Sequence, residues 1–426
     1  MSSIRSFENK PSLHRRKKEL LIFILIASAA VLSIFFYTYI KNSPALISKY
    51  HRINIICNEK IEREEYTNCT FEVVSENPEY NVRPMDCKIK LQGMTNAKLP
   101  KKGYRIELSN RISLMGMRKD DDWQLFALFL DYPRMRIKLS FELWRSLEPL
   151  NPTAILPESE YVSLYLNGEF RGLYLLSEKN DRRLFDLDDA QNNLDTSLIL
   201  QAKSYEIFKE VKDNYLGWQQ DWPNEDDGIY IKNTILKELH EFVNRTSDDE
   251  FFNPETGVYT LFDKLNLIDF FLYNFFQVHT DFWSNNFYII RNTNPSKFIL
   301  IPWDFDGSFG QKGNQEYSVT ENPEPVVKKV NGLYERLLNN EEFREDCKNR
   351  WTYLRESLWT NEYLLDELSS IYKEIEEILV IEVFLWKHRT EKEDDGEEFI
   401  IEEYVDALFE WIPERLDFCD SYFAEF

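Results

Sequence analysis

No GxGxxG run occurs in this 426-residue sequence, so a glycine-rich phosphate loop of the ordinary kind is excluded. The five cysteines, Cys57, Cys69, Cys87, Cys347 and Cys419, show no CxxC spacing, which argues against a zinc site. No fixed-period repeat and no low-complexity tract is present, which removes solenoids and fibrous folds. Histidine is sparse, five in all, and only His279 stands near a group of carboxylates. A two-metal phosphohydrolase site, which ordinarily carries more ligands, is disfavoured. Basic residues are scarce beyond the amino terminus: after residue 41 the chain holds 44 Lys+Arg against 72 Asp+Glu. Such a field opposes nucleic acid and anionic lipid, and it suits basic protein partners.

What is present is apolar mass: 43% hydrophobic and 15% aromatic residues, enough for a large two-lobed unit. Near the amino terminus, Arg5, Lys10, Arg15, Arg16, Lys17 and Lys18 precede Leu20–Ile40, 21 residues without a charge. As a helix, such a run spans about 30 Å, the thickness of a bilayer core. Ala27, Ala29 and Ala30 lie inside the run instead of after it, so an uncleaved anchor is expected in preference to a signal peptide. The basic flank would stay cytoplasmic. The expectation is a single-pass membrane protein whose main domain lies outside the cytoplasm. Cys57–Cys69 and Cys69–Cys87 are both open as local disulfides. Asn68 and Asn244 head formal glycosylation sequons.

Two stretches carry the chemistry. Ile299–Gly310, ILIPWDFDGSFG, reads as a buried strand that delivers Asp304 and Asp306 to a tight turn. His279–Ile290, HTDFWSNNFYII, places Asp281, Asn285 and Asn286 before a second apolar run. Strands at Phe287–Arg291 and Phe298–Pro302, with a turn over 292–296, would form a hairpin bringing Asp281, Asn286 and Asp304 to one end. Phosphoryl transfer needs a carboxylate to take the hydroxyl proton, and an Asn and a second carboxylate as hard ligands for Mg²⁺. Protein kinases space the first two as HRDxxxxN and follow with DFG. Here Asp281 precedes Asn286 by five residues, His279 stands two before Asp281, and Asp304 opens Asp-Phe-Asp-Gly.

At these motifs the chain resembles the CotH-type atypical protein kinases. Supporting matches are LQGMTNAKLPKKGYRIEL at Leu91–Leu108, DDDWQLFALFLDYPRMRIKLSFEL at Asp120–Leu143 and YVSLYLNGEFRGLYLLSEK at Tyr161–Lys179. The resemblance runs from about Cys87 to Gly310. It implies an α+β, two-lobed atypical protein-kinase-like fold, with an antiparallel sheet-rich N-lobe and a mostly helical C-lobe, preceded by one transmembrane helix. It also implies ATP and Mg²⁺ or Mn²⁺ as cofactors, and transfer to Ser or Thr of a protein substrate, basic or Ser-rich. Asp281 would be the catalytic base. Asn286, Asp304 and Asp306 would hold the metal. A non-catalytic surface, adhesin or coat-assembly protein on the same scaffold is the alternative. Thr280 replaces the HRD arginine and no APE follows the turn, so control by activation-loop phosphorylation is not expected.

The same reading divides the chain into a basic tail (1–19), the anchor (20–40), a linker and edge strand (41–86), an N-lobe (87–180) and a C-lobe (181–426) with an insertion near 181–230. In the N-lobe, Lys102 and Arg105 are the candidate phosphate cations. Glu142, on a helix over Tyr132–Leu147, could pair with such a cation. Asn167-Gly168 marks a hairpin. Glu178 then lies where the chain would cross between lobes beside an adenine. Helices are expected at 231–244, 259–278, from Val326 to about His388, and at the carboxyl end with Trp411 and Phe418 packed. Gln311–Pro325 reads as a flexible loop and Glu391–Glu398 as a solvated acidic tract.

Overall fold

This computed structural model describes residues 50–93, 96–203, 207–279, 282–312, 315–386 and 400–426. The first half is built from period-two strands. β1 (His51–Cys57), β2 (Thr67–Val74), β3 (Val82–Leu91), β4 (Tyr104–Ile112), β5 (Asp120–Phe126), β6 (Ser159–Leu166) and β7 (Glu169–Glu178) close into a barrel in the order β1-β2-β3-β4-β5-β7-β6. Alternate residues such as Ile53, Phe71, Ile89, Ile106, Trp123, Leu164 and Leu176 fill the inside. The barrel closes through a parallel pairing of β1 with β6, His51 opposite Val162. An antiparallel sheet alone was expected here, so closure is a difference. Where the sequence suggests a linker and one edge strand over 41–86, the chain from His51 to Leu91 supplies three staves.

Cys57 and Cys69 are register partners and form the disulfide. Cys69 also faces Cys87 across the next ladder, but Cys87 stays a free thiol, pushed up to about 12 by burial. α1 (Arg136–Arg145) packs Leu139 and Leu143 inward, as the helical spacing predicts. The β6–β7 turn places Asn167 and Gly168 at φ 52° and 79°, the positive values that select Asn-Gly.

In the second half, β8 (Leu198–Lys203) and β9 (Trp218–Trp222) join β10 (Asn285–Arg291) and β11 (Ile299–Pro302) in the order β11-β10-β8-β9. Part of the expected insertion is therefore structural sheet. α2 (Lys232–Arg245) and α3 (Lys264–Gln277) flank it, and every residue of α3 from Asn266 to Gln277 is buried. The chain continues through α4 (Glu324–Val330), α5 (Gly332–Leu338), α6 (Glu341–Ser357), α7 (Asn361–Trp386) and α8 (Ile401–Ala424).

The expectation of a single-pass membrane protein needs correction. No helix among the described residues is long and apolar enough to cross a membrane. Leu20–Ile40, on which that expectation rested, and the acidic tract Glu391–Glu398 lie outside the described residues.

Candidate active site

The centre is the end of the β10–β11 ladder. Phe287 pairs with Pro302, and one step further the Trp303 N–H donates to the Asn286 carbonyl at 2.8 Å. Asn286 is the extra residue of a bulge: against β8, Asn285 faces Lys203 and Phe287 faces Ala202. Asn286 and Asp304 both sit at positive φ, 53° and 67°. Asn and Asp tolerate that region better than other side chains, and strained backbone of this kind collects at functional sites. The hairpin thus brings Asn286 and Asp304 to one end. Asp281 lies outside the described residues.

The turn is fixed from below. His279 is buried, and its Nε2 lies 2.6 Å from the Asp304 carbonyl oxygen, so Nε2 is the protonated nitrogen. Its ring lies 3.8 Å from Phe282, and Phe282 meets Phe305 edge-on at 5.5 Å. Phe305 also meets Phe141 of α1 and Tyr273 of α3. The Ser308 hydroxyl donates to the Phe305 carbonyl at 2.8 Å and lies 3.2 Å from Ser140 Oγ. Both helices therefore hold the turn. Asp304 and Asp306 line a small pocket with Gln92, Gly103, Ile137 and the segment 126–130, enclosing about 20 Å³.

The expected cations part company. Lys102 donates to the Ala97 carbonyl at 2.7 Å and closes its own turn. Arg105 is on the outer face of the barrel, opposite Lys90 on β3 and Gln124 on β5. There it acts electrostatically on Tyr66, Asp221, Lys203 and Tyr288, so it faces the C-lobe sheet. Glu142 pairs with Lys138 at 3.3 Å and Arg145 at 3.4 Å, both on its own helix. Glu178 is buried and accepts the backbone N–H groups of Arg118 (2.8 Å) and Glu158 (3.1 Å). It staples the strand end, with burial raising its carboxyl.

Several cleft residues escape the sequence reading. Lys90 lies 4.4 Å over the Tyr66 ring, and burial lowers its ammonium, with Arg105 and Lys179 adding like charge. Lys203 donates to Gln219, whose amide donates in turn to Asp221. Asp221 is raised by burial against the pull of Lys203, Arg105 and Lys179. Tyr288, two residues beyond Asn286, is pushed well up by burial. Asn180, 4% exposed, lies against the Tyr288 hydroxyl. Outward alternation on β3 and β4 could have flagged Lys90. Lys203 and Asp221 were hidden because β8 and β9 read as loop.

Among the described residues no group of three or more His, Cys, Asp or Glu is assembled for a metal. The donors present are oxygens: Asn286, Asp304 and Asp306. Such a sparse, hard set suits Mg²⁺, which keeps waters and takes phosphate oxygens besides one or two carboxylates. The cations around Arg105 are the kind of groups that phosphate oxygens satisfy.

The chain is similar to known proteins over most of its length. A family model described as "CotH kinase protein" matches residues 89–419. The inner spore coat protein H of Bacillus subtilis (strain 168) is 24% identical over 349 residues, covering 79% of this chain and 89% of that protein. Among solved structures, the proinflammatory kinase CtkA of Helicobacter pylori aligns over 86% of this chain and 98% of that one, with 11% identity and a TM-score of 0.25.

Proposed function

The chain belongs to the CotH kinase protein family, and from that premise we propose that it transfers the γ-phosphoryl group of ATP to a Ser or Thr hydroxyl of a protein. The observation that carries this reading is the placement of Asn286 and Asp304, both at positive φ, at one end of the β10–β11 ladder. Asn286 and Asp304 would hold Mg²⁺ or Mn²⁺, with Asp306 as a further oxygen. Such a metal would supply positive charge that offsets the charge developing on the transferred phosphoryl group.

The chain's own residues do the rest. Asp281 takes the hydroxyl proton as the acceptor oxygen bonds to the γ-phosphorus and the bond to the ADP oxygen breaks. Arg105, with Lys90, Lys179 and Lys203 around it, compensates phosphate charge. His279 keeps the Asp304 backbone in place. Asn180 and Tyr288 would meet the nucleoside. The acidic surface favours a basic acceptor segment. A non-catalytic coat-assembly protein on the same scaffold remains the second reading, favoured by the narrowness of the pocket.

The test separates the two aspartates. Asp304→Asn removes a charged ligand, so calorimetry should show metal-dependent ATP binding lost and radiolabel transfer abolished. Asp281→Asn leaves the metal donors intact, so ATP should still bind while transfer falls about 10²–10⁴-fold, the usual cost of a general base. Asp304→Asn binding and transferring like the parent would sink the assignment of the turn. A folded Asp281→Asn that loses ATP binding would make that residue a ligand instead.

A further inference from the structure

Glu382, on α7, is fully buried, far in sequence from the turn, and is the anchor of a contact with three separate pieces of the N-lobe. Its Oε1 accepts the Leu173 N–H at 2.6 Å. Its Oε2 accepts from Lys101 Nζ at 2.7 Å and from Arg134 Nε at 3.2 Å. Lys101 and Arg134 are themselves fully buried. Space for the carboxylate exists only because residue 172 is glycine: a Cβ there would lie 1.9 Å from Glu382 Oε1, and Gly172 holds φ 91°.

Both cations lead to the pocket above Asp304. Lys101 stands two residues before Gly103, which lines one wall. Arg134 gathers the adjoining segment 126–130 of the lining. Its Nη1 donates to the carbonyls of Leu128 (2.6 Å), Asp131 (2.7 Å) and Phe129 (3.4 Å). The same loop is tied to α1 where Asp131 accepts the Arg136 N–H at 2.9 Å. Burying one carboxylate between two cations is a poor route to stability, since apolar residues of like size often serve as well. What the charges supply is a fixed three-way geometry. Burial holds Lys101 down to about 7, against the raising effect of Glu382.

We propose that Glu382 is a positioning residue: through Lys101 and Arg134 it sets both walls of the pocket over Asp304 and Asp306, and so tunes nucleotide affinity from α7. The proposal rests on the reading of Asp304 and Asp306, which line that pocket, as the residues that hold the metal and with it the phosphates of ATP. Glu382→Gln keeps an acceptor for Leu173 but turns an amide N–H₂ toward two cations. Amide hydrogen exchange on the full chain without nucleotide should then quicken about tenfold at residues 101–103 and 126–131, the effect of losing about 1.4 kcal/mol of local stability. KM for ATP should rise by about the same factor while kcat holds within about threefold, because the chemistry of Asp281 and Asp304 is untouched.

Lys101→Met combined with Glu382→Gln removes the unpaired cation and should recover part of both effects. Arg134→Lys keeps the ion pair but loses the fork, so it should loosen 126–131 alone; it also serves if Glu382→Gln fails to fold. Unchanged exchange at 126–131 in these variants, with only a lower melting temperature, would overturn the proposal. Altered exchange in a protein whose parent binds no ATP would leave the positioning role standing and overturn the kinase reading.

Discussion

His240 shows how one buried group sets a pH dependence. Its Nε2 accepts the Phe208 N–H at 3.1 Å, so Nδ1 carries the proton and donates to the Leu236 carbonyl at 2.7 Å. A second proton would displace the Phe208 donor, and burial lowers the imidazole from 6.5 to about 4. Below 6.5 the unfolded chain takes up a proton that the folded chain refuses until about 4, so stability falls as pH drops through that window and is flat above it. The full shift corresponds to about 3 kcal/mol. Denaturant unfolding between pH 4 and 7 should show this slope, and His240→Gln should flatten it. An unchanged slope in that variant would assign the effect to other groups. The neighbouring Asn244 spends its amide on the Phe208 and His240 carbonyls, at 3.0 and 2.7 Å, so its sequon is engaged in the fold. The same scale explains what could be read in advance. The placement of Asn286 and Asp304 was visible because a turn between two apolar runs brings the ends of the hairpin together. The choice between Lys101, Lys102 and Arg105 was not, because it depends on how the 92–103 turn folds back on α7.

At the scale of elements, α8 governs the segment after the turn that carries Asp304 and Asp306. Arg415 is fully buried and donates to the carbonyls of Phe275 (2.5 Å), Phe276 (3.1 Å), Val319 (2.7 Å) and Glu321 (2.7 Å). Trp411 Nε1 reaches the Tyr317 carbonyl at 3.3 Å. The indole also lies against Gly310, where a Cβ would come within 2.3 Å of Nε1. A stretch with the composition of a flexible loop is thus held by a helix about 100 residues later, a partner that local patterning cannot reveal. Arg415→Met orphans four carbonyls and should cost on the order of 3 kcal/mol. Limited proteolysis should then cut between residues 315 and 323 in the variant before any other site. Resistance there equal to the parent would show that Arg415 does not hold the segment.

At the scale of the molecule, period-two alternation made the strands legible, but closing the barrel depends on β1 meeting β6 in parallel across more than 100 residues. The helices of the C-lobe were legible from their spacing, while β8 and β9 were masked by polar flanks. α7 packs against both β7 and α1, so it braces the barrel from the carboxyl-terminal half of the chain. This bracing leaves the pocket over Asp304 at about 20 Å³, room for one water. A small-molecule site needs about 300–1,000 Å³. Phosphate oxygens reaching Asp304 and Asp306 through this pocket would therefore draw on an open form in which segment 126–130 has moved off the turn, and apparent affinity would scale with the fraction of molecules that are open. Stopped-flow fluorescence, using Trp303 beside the pocket as reporter, should show an observed binding rate that levels off with ATP concentration at the opening rate. Glu382→Gln, by loosening both walls, should raise that plateau; its KM still rises because the walls lose more geometry in the bound state than the larger open fraction returns. A rate that climbs linearly without a plateau would mean that the pocket already stands open in solution, and that its walls are not what ATP has to move.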